Sequence, residues 1–349
     1  MLTPMEWLRS LVSSAIVLAW VSSLAGAQSG AEEPPSPPPG RLVDVGGWRL
    51  HLNCSGEARP GRPTVILEAG LGDFSVEWSL VQPGVAQFAR VCPYDRAGDG
   101  WSELGPHPRT LRQIVHELHT LLEISGERPP FVLVGHSYGA WLVRRYQATH
   151  PSEVVALILV ESGATDPVRL MPDGRLVRSS ELATGRPVPA IKPAGPLRES
   201  DIPAAALAQM RAGLAAASAS ANEPPRDKLP PEARQMRTWA LGRLGHVAAA
   251  VNPFEHEELA ELRSRAQGKY PLGDLTLVVI TRGRPDETGP DAQRLEAEHR
   301  SDQAAMVAWS SRGTQIIAGG SGHHVQLDEP ALVIATIRDV VARSRPPGR

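Results

Sequence analysis

A serine at position 137 is the residue of this chain best suited to do chemistry. It is the centre of a G-x-S-x-G motif at residues 135–139, with an apolar run at 131–134 and a helix-compatible stretch at 140–148. A serine on a sharp turn between a strand and a helix is typical of a nucleophile, because the turn strains its backbone and exposes its hydroxyl. The motif therefore predicts that Ser137 attacks a substrate carbonyl, although an ordinary tight turn also fits it.

A serine nucleophile of this kind needs two backbone amides that face the oxygen on which negative charge develops. One is expected at Tyr138, which follows the nucleophile at the start of the next helix. The second is expected at Leu71, in a segment at 68–73 that follows the strand-like run 64–67. Glycines on both sides of Leu71 would let the backbone turn its amide toward the site.

A histidine near the C-terminus can supply the general base. The segment 320–324 reads G-S-G-H-H and follows a strand-like run at 315–318. A histidine on such a loop could take the proton from the serine hydroxyl and give it to the leaving group. We expect this base to be His323 rather than His324, because His323 directly follows a glycine.

These segments together resemble the α/β-hydrolase fold superfamily. The resemblance also rests on residues 94–102, YDRAGDGWS, and covers residues 42–343 with the motifs in the family's order. It implies a mostly parallel central sheet flanked by helices, and a serine hydrolase with a Ser-His-acid triad and no cofactor. Many members have His-Gly in the oxyanion loop, whereas this chain has Ala69-Gly70 and lacks that bracing side chain.

The resemblance leaves two candidates for the acid of the triad. The family's acid loop follows the strand after an inserted region, and residues 283–290 are similar to its G-x-x-D-x-x-x-P pattern, about one residue late, with Asp286 as the acid. Some relatives place the acid at the end of an earlier strand, which here gives Glu161 after the run 155–160. Either carboxylate could orient the imidazole. We expect Asp286, with Glu161 as the alternative.

The N-terminal segment predicts export. Arg9 precedes an apolar run at 11–24 that is short for a membrane span, and small residues follow it, so residues 1–27 are predicted to be a signal peptide. Residues 28–41 are rich in proline and predict an extended linker. The protein is therefore expected to be periplasmic or secreted, with no stable membrane anchor after cleavage.

The two cysteines agree with export. The resemblance implies that the strands carrying Cys54 and Cys92 are neighbours, so a disulfide between them is expected in an oxidising compartment. Two buried free thiols are the alternative.

The predicted α/β core is interrupted by one long insertion. Strand and helix signals alternate over residues 42–165 and 271–349, which predicts the core. The alternation stops over residues 166–270, which are rich in Ala, Pro and Arg with helix-like pieces. This insertion is predicted to form a helical cap over the mouth of the active site.

The residues and the resemblance together predict an exported serine hydrolase that cleaves an ester-like small molecule, either a carboxylic ester or a lactone. The formal net charge of −2 favours no nucleic-acid partner. His116 and His119 lie three apart on a predicted helix, but no third ligand is evident nearby in the sequence, so no metal is expected. An acyltransferase with the same triad and a non-catalytic ligand-binding protein remain alternatives.

Overall fold

The computed structural model of the protein describes most of the predicted core and part of the cap. Residues 1–27, the predicted signal peptide, lie outside the described residues, and so does Asp286. No helix in the described part of the chain is long and apolar enough to cross a membrane. The described residues are 34–164, 166–171, 175–191, 214, 218–285 and 292–344.

Strands and helices alternate along the described core, as the sequence predicts. The strands are β1 (Arg41–Asp44), β2 (Arg49–Leu52), β3 (Thr64–Glu68), β4 (Val91–Pro93), β5 (Phe131–His136), β6 (Val154–Val160), β7 (Val168–Leu170), β8 (Leu176–Arg178), β9 (Thr276–Arg282) and β10 (Gly313–Ala318). The α-helices are α1 (Gln82–Val85), α2 (Leu111–Ser125), α3 (Gly139–Thr149), α4 (Ser179–Leu182), α5 (Pro231–Leu241), α6 (Leu244–Ala249), α7 (Glu255–Arg265), α8 (Ala292–Val307), α9 (Val325–Asp328) and α10 (Pro330–Arg343).

A six-stranded sheet forms the centre of the molecule, in the order β10-β9-β6-β5-β3-β4. Every neighbouring pair in it is parallel. The carboxyl ends of parallel strands meet at one edge of a sheet, so the loops after β3, β5, β6 and β10 lie at that edge. This architecture confirms the predicted α/β fold with a mostly parallel sheet.

Both faces of the sheet are covered by helices. Along β5, Leu133 belongs to an apolar layer that includes residues of α2 and α3, whereas Val132 and Val134 belong to the layer on the other face, with α1 and α10. Side chains alternate between the faces of a strand, and a strand buried on both faces therefore reads as a continuous apolar run. This is why the run at 131–134 is apolar throughout.

The chain before the sheet forms an antiparallel hairpin, β1 with β2, and then runs antiparallel beside the edge strand β4. Cys54 and Cys92 form a disulfide there, with an S–S distance of 2.02 Å. These are the two cysteines that the sequence pairs.

The end of the predicted linker lies against the core. The carbonyl of Ser36 accepts a hydrogen bond from Trp101 Nε1 at 2.9 Å, and the carbonyl of Pro39 lies 2.6 Å from His51 Nε2. The imidazole of His51 is fully buried, and its Nδ1 lies 2.9 Å from Asp95 Oδ2. Residues 36–39 are therefore held by one fully buried and one partly buried side chain of the core.

The described part of the insertion at 166–270 contains three helices in the stretches expected to be helical and one hairpin that was not expected. Helices α5, α6 and α7 occupy the predicted helical stretches 231–251 and 255–267. The predicted helix at 204–217 lies outside the described residues apart from Leu214. The short antiparallel hairpin β7–β8 was not predicted, because strands of three residues carry too little alternation to be recognised.

Replacing both cysteines with serine is expected to lower the free energy of unfolding by about 2–4 kcal/mol, because the disulfide restrains the unfolded chain. Chemical denaturation of the double variant and the wild type measures this difference. Wild-type protein reduced with dithiothreitol is the control and should behave like the double variant. A difference below about 0.5 kcal/mol would contradict the prediction.

Candidate active site

Ser137 occupies a sharp turn between β5 and α3. Its φ of 53° is in the left-handed region, which non-glycine residues rarely adopt. Its amide donates to the carbonyl of Val160 at 3.0 Å, and its carbonyl accepts from the amide of Gly163 at 3.2 Å. These two bonds to β6 and to the loop after it hold the serine in its strained conformation.

The two glycines of the motif are required by close backbone contacts. A Cβ on Gly135 would lie 2.6 Å from the carbonyl oxygen of Gly139. A Cβ on Gly139 would lie 2.6 Å from the carbonyl oxygens of both Glu68 and Ala69. Contacts this short exclude any side chain, so the glycines let the helix start pack against both its own strand and the loop after β3.

Glu161 lies at the end of β6, beside Ser137, and also has a left-handed backbone, with a φ of 47°. Its side chain is fully buried, and its Oε2 lies 3.4 Å from His323 Nδ1 on the loop after β10. The imidazole of His323 is 23% exposed. The structure thus brings a histidine and a buried carboxylate from separate segments into contact, and the carboxylate follows the strand to which Ser137 is hydrogen-bonded.

Three further groups contact the carboxylate of Glu161. The backbone amide of Arg282 donates to Oε1 at 2.6 Å, and the Arg282 guanidinium donates to Oε2 at 3.0 Å. His299 Nε2 lies 3.2 Å from Oε1. Burial alone would raise the pKa of Glu161, but hydrogen bonds from His299 and His323 outweigh it and hold the pKa well below its usual value. Glu161 is therefore ionised at neutral pH.

The loop after β3 carries Leu71, the predicted oxyanion donor, whose side chain is half exposed. This loop is held by the buried guanidinium of Arg96, which donates to the carbonyls of Ala69 at 2.8 Å, Gly70 at 2.6 Å and Asp73 at 2.8 Å. Arg96 also donates to Glu68 Oε1 at 2.6 Å. A guanidinium has five donors in a rigid fork, and here it fixes the loop on both sides of Leu71.

His136 occupies the space beside this loop. A Cβ on Gly70 would lie 3.0 Å from His136 Nδ1, so the ring packs against the glycine backbone. His136 Nε2 lies 2.9 Å from the carbonyl oxygen of His323. Burial and the neighbouring His323 lower the pKa of His136 to about 3, so the ring is neutral and its Nε2–H donates to that carbonyl. The residue before the predicted nucleophile thereby positions the backbone of the predicted base.

The cap contacts the same loop through buried ion pairs. Arg226 and Arg237 of the cap each approach Asp73 Oδ1 at 3.0 Å, and both also contact Glu77. Burial would raise the pKa of Asp73, but the two guanidinium groups hold it well below its usual value. Asp73 is two residues beyond Leu71, so the cap arginines and Arg96 both hold the loop that carries the predicted oxyanion donor.

An apolar contact accompanies these ion pairs. Phe74, after the oxyanion loop, and Leu327, shortly after His323, pack in one buried cluster with Leu229 and Met236 of the cap. The cap therefore lies over the loops that carry the predicted oxyanion donor and the predicted base.

The structure gathers most of the predicted site residues at the carboxyl edge of the sheet. Ser137 and Glu161 follow the neighbouring strands β5 and β6, and His323 lies on the loop after β10. The loop of Leu71 packs against the start of α3. Asp286 lies outside the described residues, whereas its alternative, Glu161, contacts the histidine. Sequence reasoning missed His136, His299 and Arg282, and of these only His136, within the motif, could have been noticed.

Comparison with known proteins identifies the family. A model of the "Alpha/beta hydrolase family" matches residues 65–336, which is most of the chain. The chain belongs to the alpha/beta hydrolase family. This membership supports a hydrolase.

Individual relatives of this alpha/beta hydrolase differ in how much of their length is matched. An "AB hydrolase superfamily protein" of Gibberella zeae is 25% identical over 84% of this chain and 91% of its own length. A "Probable transporter efuK" of Hormonema carpetanum is 32% identical over 35% of this chain, and the match spans only 18% of that protein. A thermophilic esterase from Thermogutta terrifontis has a TM-score of 0.60 at 16% identity, over 87% of this chain and 99% of its own.

Replacing Glu161 with Gln is expected to make the free energy of unfolding depend less on pH below about pH 4.5. The folded-state pKa of Glu161 lies below its unfolded value, so the ionised carboxylate stabilises the fold above about pH 4.5, and this contribution is lost as the pH falls further. The difference in free energy of unfolding between wild type and Glu161→Gln should therefore shrink from pH 6 to pH 3. Urea denaturation across this range measures it, with Glu57→Gln at an exposed carboxylate as control. A difference that stays constant would refute this assignment of charge.

Proposed function

We propose that this alpha/beta hydrolase is an exported serine hydrolase that cleaves a carboxylic ester or lactone through an acyl-enzyme. One observation carries the proposal: a strained serine at the end of β5 lies beside a buried, ionised glutamate that contacts a loop histidine. A nucleophile, an acid and a base are the three groups that acyl transfer by a serine triad requires. The similarity of fold to an esterase supports it further.

In the proposed reaction, Ser137 Oγ attacks the carbonyl carbon of the substrate while His323 accepts the hydroxyl proton. Glu161 holds Nδ1–H of the same imidazole and stabilises the imidazolium that forms. The amides of Leu71 and Tyr138 stabilise the tetrahedral oxyanion. His323 then protonates the departing alcohol, which leaves an acyl group on Ser137.

Water completes the reaction. His323 removes a proton from the water, whose oxygen attacks the acyl carbon, and the proton returns to Ser137 Oγ as the carboxylic acid departs. Arg96 and His136 act through backbone contacts rather than on the substrate, so we propose them as positioning residues. Export is supported by the Cys54–Cys92 disulfide, since such bonds persist in oxidising compartments. N-terminal sequencing of exported protein should find Gln28 first.

Ser137→Ala is expected to reduce turnover of a short p-nitrophenyl ester by about 10⁴-fold or more, because the nucleophile is removed. The variant should also lose covalent labelling by a fluorophosphonate probe. Ser344→Ala, just after the end of α10, is the matched control and should be labelled like the wild type. Wild-type labelling of Ser137→Ala would overturn the proposal, and an unlabelled but folded wild type would favour a binding protein.

A matched pair of variants decides which carboxylate completes the triad. Glu161→Gln keeps the shape of the side chain but removes its charge, and should lower kcat by about 10³–10⁴-fold. Asp286→Asn should change kcat by less than about threefold, because in this proposal Glu161 and not Asp286 orients the imidazole. Circular dichroism checks that both variants are folded. The reverse result would make Asp286 the acid.

A further inference from the structure

A second cluster of histidine and carboxylate side chains lies at the opposite end of β6 from Glu161. It is formed by His119 of α2, His150 at the C-terminal end of α3, and Glu153 in the 3₁₀ turn Pro151–Glu153 that leads into β6. One ligand atom from each residue lies within 4.8 Å of the other two. The side chains are 19–24% exposed, so the cluster is reached from solvent.

The distances suit a small metal ion. His119 Nε2 lies 3.1 Å from Glu153 Oε1, and His150 Nδ1 lies 3.9 Å from the same oxygen. Ligand atoms about 2.1 Å from a tetrahedral Zn²⁺ are about 3.4 Å apart, so these separations bracket the required value. The His119 and His150 rings are stacked, with centroids 3.9 Å apart and planes 5° from parallel. An imidazole binds a metal ion in the plane of its ring, so one of the two stacked rings must turn for both nitrogens to reach a single ion.

The far sides of these ligands are already fixed by other groups. His119 Nδ1 lies 3.4 Å from Glu123 Oε2, one helical turn further along α2. When a metal ion takes the place of the Nε2 proton, the ring proton can lie on Nδ1, where this carboxylate accepts it. Tyr146 donates to Glu153 Oε2 at 2.6 Å, which leaves Oε1 facing the histidines. Such outer partners are typical of metal sites, because they set the orientation and the basicity of the ligands.

The local backbone holds two of the ligands together. His150 ends α3 with its amide bonded to the carbonyl of Tyr146 at 2.8 Å, and the amide of Glu153 returns to the carbonyl of His150 at 3.2 Å. The third ligand, on α2, is therefore presented to a preformed H-x-x-E turn.

We propose that His119, His150 and Glu153 form a binding site for a divalent first-row transition-metal ion, of which Zn²⁺ fits the donor set best. Two imidazoles and one carboxylate are a known Zn²⁺ ligand set, with water as the fourth ligand. On binding, the ion replaces the proton between His119 Nε2 and Glu153 Oε1. It would cross-link α2 to the α3–β6 connection and thereby stabilise the fold.

A second His-carboxylate cluster in the described chain is a poorer metal site. Asp73, His136 and His324 also lie within 4.8 Å of one another. However, Asp73 Oδ1 already contacts the guanidinium groups of Arg226 and Arg237 at 3.0 Å. Two positive charges so close would repel a bound metal ion. By contrast, no arginine or lysine pairs with Glu153 among the ion pairs of the described residues.

Metal titration of untagged full-length protein tests the proposal. Protein stripped with EDTA and exchanged into metal-free buffer is titrated with Zn²⁺ against a fluorescent chelator. We expect one tight Zn²⁺ per chain, at least 100-fold weaker binding in His119→Ala/His150→Ala, and about tenfold weaker binding in Glu123→Gln. Zn²⁺ should also raise the melting temperature of the wild type and leave that of the double variant unchanged.

Two control variants check that Zn²⁺ binds at this cluster and not at a cap histidine or at the active-site serine. His256→Ala, which removes a cap histidine, should bind like the wild type, as should Ser137→Ala, in which the proposed nucleophile is missing. Melting curves without metal check that every variant is folded. Equal Zn²⁺ affinity in the wild type and the double variant, or no stoichiometric binding by the wild type, would overturn the proposal.

Discussion

The candidate active site depends on one backbone constraint: the neighbouring strands β5 and β6 are both followed directly by a non-glycine residue with left-handed φ. Ser137 and Glu161 have φ values of 53° and 47°. Such residues cost about 1–3 kcal/mol each and persist only when their surroundings determine them. Here the amide of Ser137 bonds to Val160 on β6, and the amide of Glu161 bonds to Ile280 on β9. The strand register therefore fixes both side chains at once.

Buried charged side chains fix the loops that lie outside the hydrogen-bonded sheet. Arg96, beneath the oxyanion loop, contacts three of its carbonyls, and Arg237, in the cap, pairs with Asp73 and Glu77. Removing one partner of a buried ion pair lowers the stability of the fold by about 3–5 kcal/mol, because it leaves an unpaired charge in a low-dielectric interior. Such pairs add little net stability, but they define one geometry strongly, which is what a catalytic loop needs.

The features predicted correctly from the sequence were those that local pattern determines. The apolar run before Ser137 and the glycines around it are short-range signals, and the parallel sheet follows from repeated alternation of strands and helices. The contact between Glu161 and His323 joins residues 162 apart in the chain. It depends on strand order, which a single sequence does not carry. Asp286, the first choice from the family pattern, lies outside the described residues and stays a prediction.

The proposed metal-ligand cluster also depends on contacts between residues that are far apart in the sequence. His116 and His119 alone lacked a third ligand nearby in the sequence, because His150 and Glu153 lie beyond the whole of β5 and α3. Packing of α2 against α3 brings these residues together.

The metal-ligand cluster and the candidate active site lie at opposite ends of β6, each where a loop or turn meets a distant segment. The full length of β6, seven residues or roughly 20 Å, separates them. At that distance an ion at the solvent-exposed end adds little to the field at Glu161, since water screens most of its charge. Its influence on the active site would therefore be exerted through the position of β6, the strand whose carboxyl end holds Glu161.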